Sequence, residues 1–117
     1  MNEEQLKQRT KQFALRAIKL VEALPRSRTA DVIGKQLLRS ATSVGANYRA
    51  ACRGRSKREF IAKIGIVEEE SDESLFWLEL IVEASLMRQS RVAHLLREAD
   101  ELTAIFVATG RTAKKRK

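Results

Sequence analysis

Very little in this sequence bends or staples a chain. Its 117 residues include one proline and five glycines, too few turn-formers for a fold of many short strands. The single cysteine, Cys52, excludes an internal disulfide framework and fits a reducing compartment. The single histidine, His94, has no second His or Cys near it in sequence. The three or four ligands of a zinc site are therefore missing, and so are the paired Glu-x-x-His motifs of a di-metal carboxylate bundle. No P-loop, glycine fingerprint or nucleophile elbow occurs. No apolar run approaches the roughly 20 residues of a membrane span. The N-terminal stretch MNEEQLKQRTKQ is polar and charged, without the apolar region of a signal peptide. The expectations are a cytoplasmic protein without catalytic residues, metal, cofactor, membrane or small-molecule substrate.

What the chain does have is helical periodicity. Apolar residues make up 44% and charged residues 32%, an ordinary balance for one helical domain long enough to bury a core. In residues 3–24, Leu6, Phe13, Ala17, Leu20 and Leu24 recur at helical spacing, and Ala14, Ile18 and Val21 widen the stripe. Pro25 stops this helix. A second helix, capped by Thr29, runs to about Arg53 on Ile33, Leu37, Ala41, Val44, Tyr48 and Ala51. Beside that stripe lies a row rich in small residues, with Gly34, Ala41, Gly45 and Cys52. Each Gly there costs about 1 kcal/mol of helix propensity, so a close helix–helix approach is expected to offset it. Gly54 breaks the helix. Ser56 and Glu59 then read as a capping box opening a third helix to about Met87, with Phe60, Ile64, Val67, Leu75, Leu78 and Val82 as its stripe. A fourth helix starts near Ser90 and carries Val92, Leu95, Leu96, Ala99, Leu102, Ile105 and Phe106. Gly110 is expected to close it. Short links between long helices make an antiparallel up-down-up-down four-helix bundle over residues 1–110, followed by a disordered basic tail at 111–117.

Charge is divided along the chain. Overall it is +8, yet residues 1–58 hold 14 Lys/Arg against 4 Asp/Glu, and residues 59–110 hold 4 against 11. The first helical pair is thus basic and the second acidic. In an up-down-up-down bundle the N-terminus, the second link and the C-terminal tail share one end. Lys7, Arg9 and Lys11, then Arg53, Arg55, Lys57 and Arg58, then Lys114 and Lys115 gather there, with Arg111, Arg116 and Lys117 beside them. These are the candidate nucleic-acid contacts, since a basic end attracts RNA or DNA phosphates.

Two further groups stand out. In the acidic run Glu68–Glu73, Glu70 and Glu73 share one side of the third helix with Trp77. A carboxylate there needs a charge or donor beside it, and Arg39 and Asn47 on the second helix are the candidates. Farther along, seven of the eight residues from Leu75 to Val82 are apolar. A bundle core uses roughly three positions in seven, so Phe76, Trp77, Leu80 and Ile81 are left over and mark a self-association surface.

One stretch of the second and third helices resembles a known family. Leu38-Arg39-Ser40-Ala41-Thr42-Ser43-Val44-Gly45-Ala46-Asn47-Tyr48, continued by Arg53-Gly54-Arg55-Ser56-Lys57-Arg58-Glu59-Phe60, looks like the LRRAxxSIxxNIxEGxxRxSxxEF signature of four-helix-bundle proteins encoded in intervening sequences of 23S ribosomal RNA genes. The likeness continues into Glu73-Ser74-Leu75-Phe76-Trp77-Leu78-Glu79-Leu80. The accessory variability determinant of diversity-generating retroelements is similar too. The resemblance implies a four-helix bundle, commonly a homopentamer, with no enzymatic activity, and in the retroelement branch a nucleic-acid-binding barrel. It carries over Arg39, Ser43, Asn47, Gly54, Arg55, Ser56, Glu59 and Phe60 as structural positions. The chain departs at Arg49-Ala50-Ala51-Cys52, where the pattern has Ala-Glu-Gly, so a site using that Glu is lost.

Overall fold

Side-chain caps start three of the four helices in the computed structural model, which describes residues 1–116. Asn2 and Gln5 form a reciprocal capping box at the head of α1 (Glu3–Glu22). Ser27, rather than Thr29, caps α2 (Arg28–Cys52) by accepting from the Ala30 N–H; it is the residue that keeps an extended backbone. Ser56 caps α3 (Lys57–Glu83), and the Glu59 carboxylate reaches back to the Arg55 N–H. Only α4 (Gln89–Lys115) begins without a side-chain cap.

The four helices form an all-α up-down-up-down bundle about 50 Å long and 20 Å across. Its core runs along the shared axis, with Phe13, Leu37, Val44, Ile64, Val67, Leu78, Leu102 and Phe106 at 1% exposure or less. Tyr48 and Phe106 meet there with ring centroids 5.4 Å apart. The stripe of α1 is narrower than its sequence suggests, because Ile18 is 37% exposed.

Small side chains set how closely the neighbours approach. A Cβ on Gly45 would stand 3.3 Å from the Thr10 hydroxyl, and one on Gly34 would stand 3.2 Å from Leu24. The glycine row of α2 is therefore the face on which α1 lies. Toward α3 the spacers are serines: Ser40 and Ser74 are fully buried, and their hydroxyls meet at 2.9 Å. Ser71, also fully buried, donates to the Val67 carbonyl one turn back. By contrast α1 touches α4 far less than the other neighbours touch one another.

Both ends of the last hairpin differ from expectation. α3 stops at Glu83 instead of Met87. The Leu86 N–H bonds the Ile81 carbonyl, the Ser85 N–H bonds the Val82 carbonyl, and Ser85 sits at φ 57. This pair of bonds around one left-handed residue is a Schellman ending, usually made by Gly, which is why no glycine marks it in the sequence. At the other end Gly110 does not close α4. The helix runs on to Lys115, so residues 111–115 are helical and not a disordered tail. A Cβ on Gly110 would stand at an ordinary 3.6 Å from Ile64, so the glycine sits beside α3 inside a continuing helix. Lys117 lies outside the described residues.

Ser85→Gly is expected to stabilise the fold by about 0.5–1 kcal/mol, because glycine adopts positive φ without the Cβ penalty. Urea denaturation of the two proteins measures this; an unchanged midpoint would mean that the link is unstrained.

Candidate functional site

The α2–α3 link leaves α2 with the Arg53 N–H bonded back to the carbonyls of Arg49 and Ala50. A Cβ on Gly54 would come within 3.1 Å of the Ala51 carbonyl oxygen, so the chain turns tightly against the helix end. Arg53, Arg55, Lys57 and Arg58 all project to solvent from this turn. Lys114, Lys115 and Arg116 are exposed at the end of α4. The two groups share one end of the bundle, where Ser56 and Lys57 at the start of α3, Thr112 and Arg116 at the α4 end, and Met1 and Leu6 at the N-terminal end of α1 line one groove of about 700 Å³. Its floor is apolar, with Phe60 and Ile105. None of the basic residues of the link or the α4 end forms an ion pair among the described residues.

The three cations expected from α1 divide differently. Lys11 is exposed. Lys7 is half-buried and paired with Glu3 at 3.1 Å. Arg9 does not belong to the open basic surface. Its guanidinium donates from Nε and an Nη to the two Glu98 oxygens at 2.8 and 2.7 Å, and from that Nη to Glu101 at 2.7 Å. Its side chain is only 22% exposed and that of Glu98 17%. Arg9 thus clasps α1 to α4 across the loosest seam of the bundle. The hydrogen bond to Glu98 raises the Arg9 pKa, and the same bond holds the Glu98 carboxyl below its ordinary value. Neither carboxylate stands out in the sequence, where their one signal is a spacing of three on a single helix face.

Arg39 makes the matching link between α2 and α3. It donates to Glu70 at 3.1 Å and also bonds Glu73. Asn47 does not join this pair: its Nδ2 donates to the Ser43 carbonyl of its own helix at 2.9 Å, about two turns along α2 from Arg39.

A match to a family model named 23S rRNA-intervening sequence protein spans residues 2–108. The chain belongs to that family. A solved structure similar to it, a protein with unknown function from the S23 ribosomal protein family of Bacteroides thetaiotaomicron, has a TM-score of 0.83 at 30% identity, covering 89% of this chain and 96% of that one. Comparison with curated proteins finds no match. The family pattern now has a physical content in this member. Arg39 supplies the α2–α3 ion pair, Asn47 bonds its own helix, Ser56 and Glu59 hold the start of α3, and Phe60 floors the groove at the basic end.

The four residues expected at a self-association surface also divide. Ile81 is not on it: the side chain is fully buried in the protomer core, because α3 turns Ile81 inward in place of Val82, which is half-buried. Phe76 is 50% exposed and stacks edge-on against the half-buried Trp77, ring centroids 5.1 Å apart. Leu80 is half-buried. Val32 lies two turns before Arg39 and Leu80 two turns after Glu73. The Arg39–Glu73 pair therefore sets Val32, itself 57% exposed, on the same outer face as Leu80.

The remaining nucleophile and ligand candidates stand apart. Burial pushes the Cys52 thiol above its ordinary pKa, which keeps it protonated and a poor nucleophile. Among the described residues no three His, Cys, Asp or Glu side chains gather to hold an ion, and no helix is long and apolar enough to cross a membrane.

The clasp predicts an acid limb in stability. Glu98 has a depressed pKa in the fold, so the unfolded chain takes up its proton first as pH falls. The stability it contributes is present above its ordinary 4.5 and is lost as pH drops through the folded value. Arg9→Met is expected to cost about 1.5–3 kcal/mol at neutral pH, the range for hydrogen bonds to charged groups, and to flatten the acid limb. Urea midpoints of both proteins across the acid range measure it; parallel curves would contradict it.

Proposed function

We propose that this chain is a non-enzymatic, self-associating cytoplasmic bundle that binds RNA or DNA through the basic end. The observation that carries this reading is the set of cations left over after the fold has paired its own. The link and the α4 end each present exposed Arg and Lys side chains without carboxylate partners, on one end of the molecule. Unpaired cations grouped on one surface attract a phosphate backbone, and displacing its counterions drives binding. Arg53, Arg55, Lys57, Arg58, Lys114 and Lys115 are the contacts, with Lys11 at the margin. Arg9 takes no part, and Lys7 takes part only by exchanging Glu3 for a phosphate.

Self-association is supported by the outer α2–α3 face, where Phe76, Trp77, Leu80 and Val32 present apolar surface that a monomer leaves in water. The family resemblance favours five copies. A reading as a protein-interaction module without nucleic acid draws on the same apolar face and on the 700 Å³ groove.

Arg53→Glu with Lys57→Glu separates the readings. Both side chains are exposed, so the fold should persist. The pair of reversals is expected to weaken RNA or DNA binding at least tenfold and to lower its salt slope by about 1–2, as measured by fluorescence anisotropy at several salt concentrations. Unchanged affinity and slope would overturn the basic end as the binding surface. Light scattering of the same samples reads assembly: wild type should exceed one protomer in mass, and Phe76→Glu should shift it to smaller species. A monomeric wild type would end the self-association reading.

A further inference from the structure

The α1–α4 seam opens a second time at the far end of the bundle, beyond the Arg9 clasp. There a smaller groove of about 240 Å³ lies between the last turns of α1 and the first turns of α4. Arg16 and Lys19 enter it from α1, Arg91 and His94 from α4, over a floor of Leu20, Met87 and Leu95. All four polar side chains are exposed, and none makes a hydrogen bond or ion pair among the described residues. Glu98 lies near enough to interact with Arg16 and His94, but Arg9 already occupies both of its oxygens. Three permanent cations and an imidazole therefore converge on one small cleft without an acceptor to satisfy them.

We infer that this groove is a phosphate-binding site for the backbone of a nucleic acid, separate from the basic end. An anion fits because four donors from two helices surround a single concavity, and like charges held together gain most from one shared counter-charge. A phosphate, with several acceptor oxygens, can take hydrogen bonds from Arg16 and Arg91 at once, each guanidinium offering a planar fork. The shallow apolar floor leaves room for a sugar or base edge next to the phosphate. The two basic surfaces stand at opposite ends of a bundle 50 Å long, so one protomer can hold two backbone segments. The choice of nucleic acid as the source of the phosphate rests on the function proposed above; the site itself does not.

The test follows the His94 imidazole signals by NMR while the full chain is titrated with inorganic pyrophosphate and, separately, with a single-stranded oligouridylate. Both titrations are expected to shift the His94 signals, and Arg16→Gln with Arg91→Gln should abolish both shifts. In anisotropy that variant should bind the oligonucleotide several-fold more weakly, with a salt slope lower by about 1. The substituted side chains are exposed, so the variant should keep the wild-type melting temperature. Shifts with pyrophosphate but none with the oligonucleotide would overturn the nucleic-acid assignment. No shift with either would overturn the site. Shifts with the oligonucleotide that persist when Arg53→Glu/Lys57→Glu leaves affinity unchanged would uphold this groove and reject the basic end.

Discussion

Two hairpins of opposite charge are held together by ion pairs that all run the same way. Arg9 of α1 binds Glu98 and Glu101 of α4, and Arg39 of α2 binds Glu70 and Glu73 of α3. In each case a cation from the basic pair of helices reaches a pair of carboxylates on the acidic pair. Exposed pairs of this kind contribute little to stability. The Arg9 clasp is more enclosed, and it closes a seam that apolar packing leaves loose. The pairing also sorts the remaining charge. Arg9 and Arg39 are consumed by these pairs, while the cations at the α2–α3 link, at the α4 end and in the α1–α4 groove stay without partners among the described residues. The surfaces open to a polyanion are what this internal pairing leaves over.

The uneven spacing of the helices has the same root. Gly34 and Gly45 bring α1 onto α2, and Ser40 and Ser74 bring α2 onto α3. Side chains that small leave no voids only when the backbones come close. No such row faces the α1–α4 seam, where Arg9 and Glu98 act as long polar spacers. A groove lies on either side of the clasp, one at the basic end and one between the last turns of α1 and the first turns of α4.

Much of this was legible in the sequence. Four apolar stripes at helical spacing, one proline and a serine cap gave the bundle, because burial of an amphipathic face dominates helix formation in a protein. The glycine row announced the α1–α2 approach, since glycine inside a helix needs a compensating contact. Arg39 with Glu70 and Glu73 was among the alternatives that spacing allowed. Other features were hidden. The Ser85 ending lacked its usual glycine. Gly110 resembled a stop signal, yet it does not take the positive φ of a C-cap and α4 continues through it to Lys115. Ile81 and Val82 are adjacent in an apolar run, and only the rotation of α3 decides which points inward. Arg9 and Glu98 are 89 residues apart in sequence, a separation at which helical periodicity says nothing about partners. The cleft of Arg16, Lys19, Arg91 and His94 was invisible for the same reason: each half is an ordinary solvated face until two helices set them side by side.

The claim that internal pairing decides which cations remain for a polyanion is most directly tested by photo-crosslinking the intact protein to RNA and mapping the crosslinked peptides by mass spectrometry. The account predicts crosslinks in the α2–α3 link from Arg53 to Arg58 and at the end of α4 from Arg111 to Arg116, with none at Arg9 or Arg39. Crosslinks centred on Arg9 and Arg39, or on the acidic stretch of α3, would contradict it.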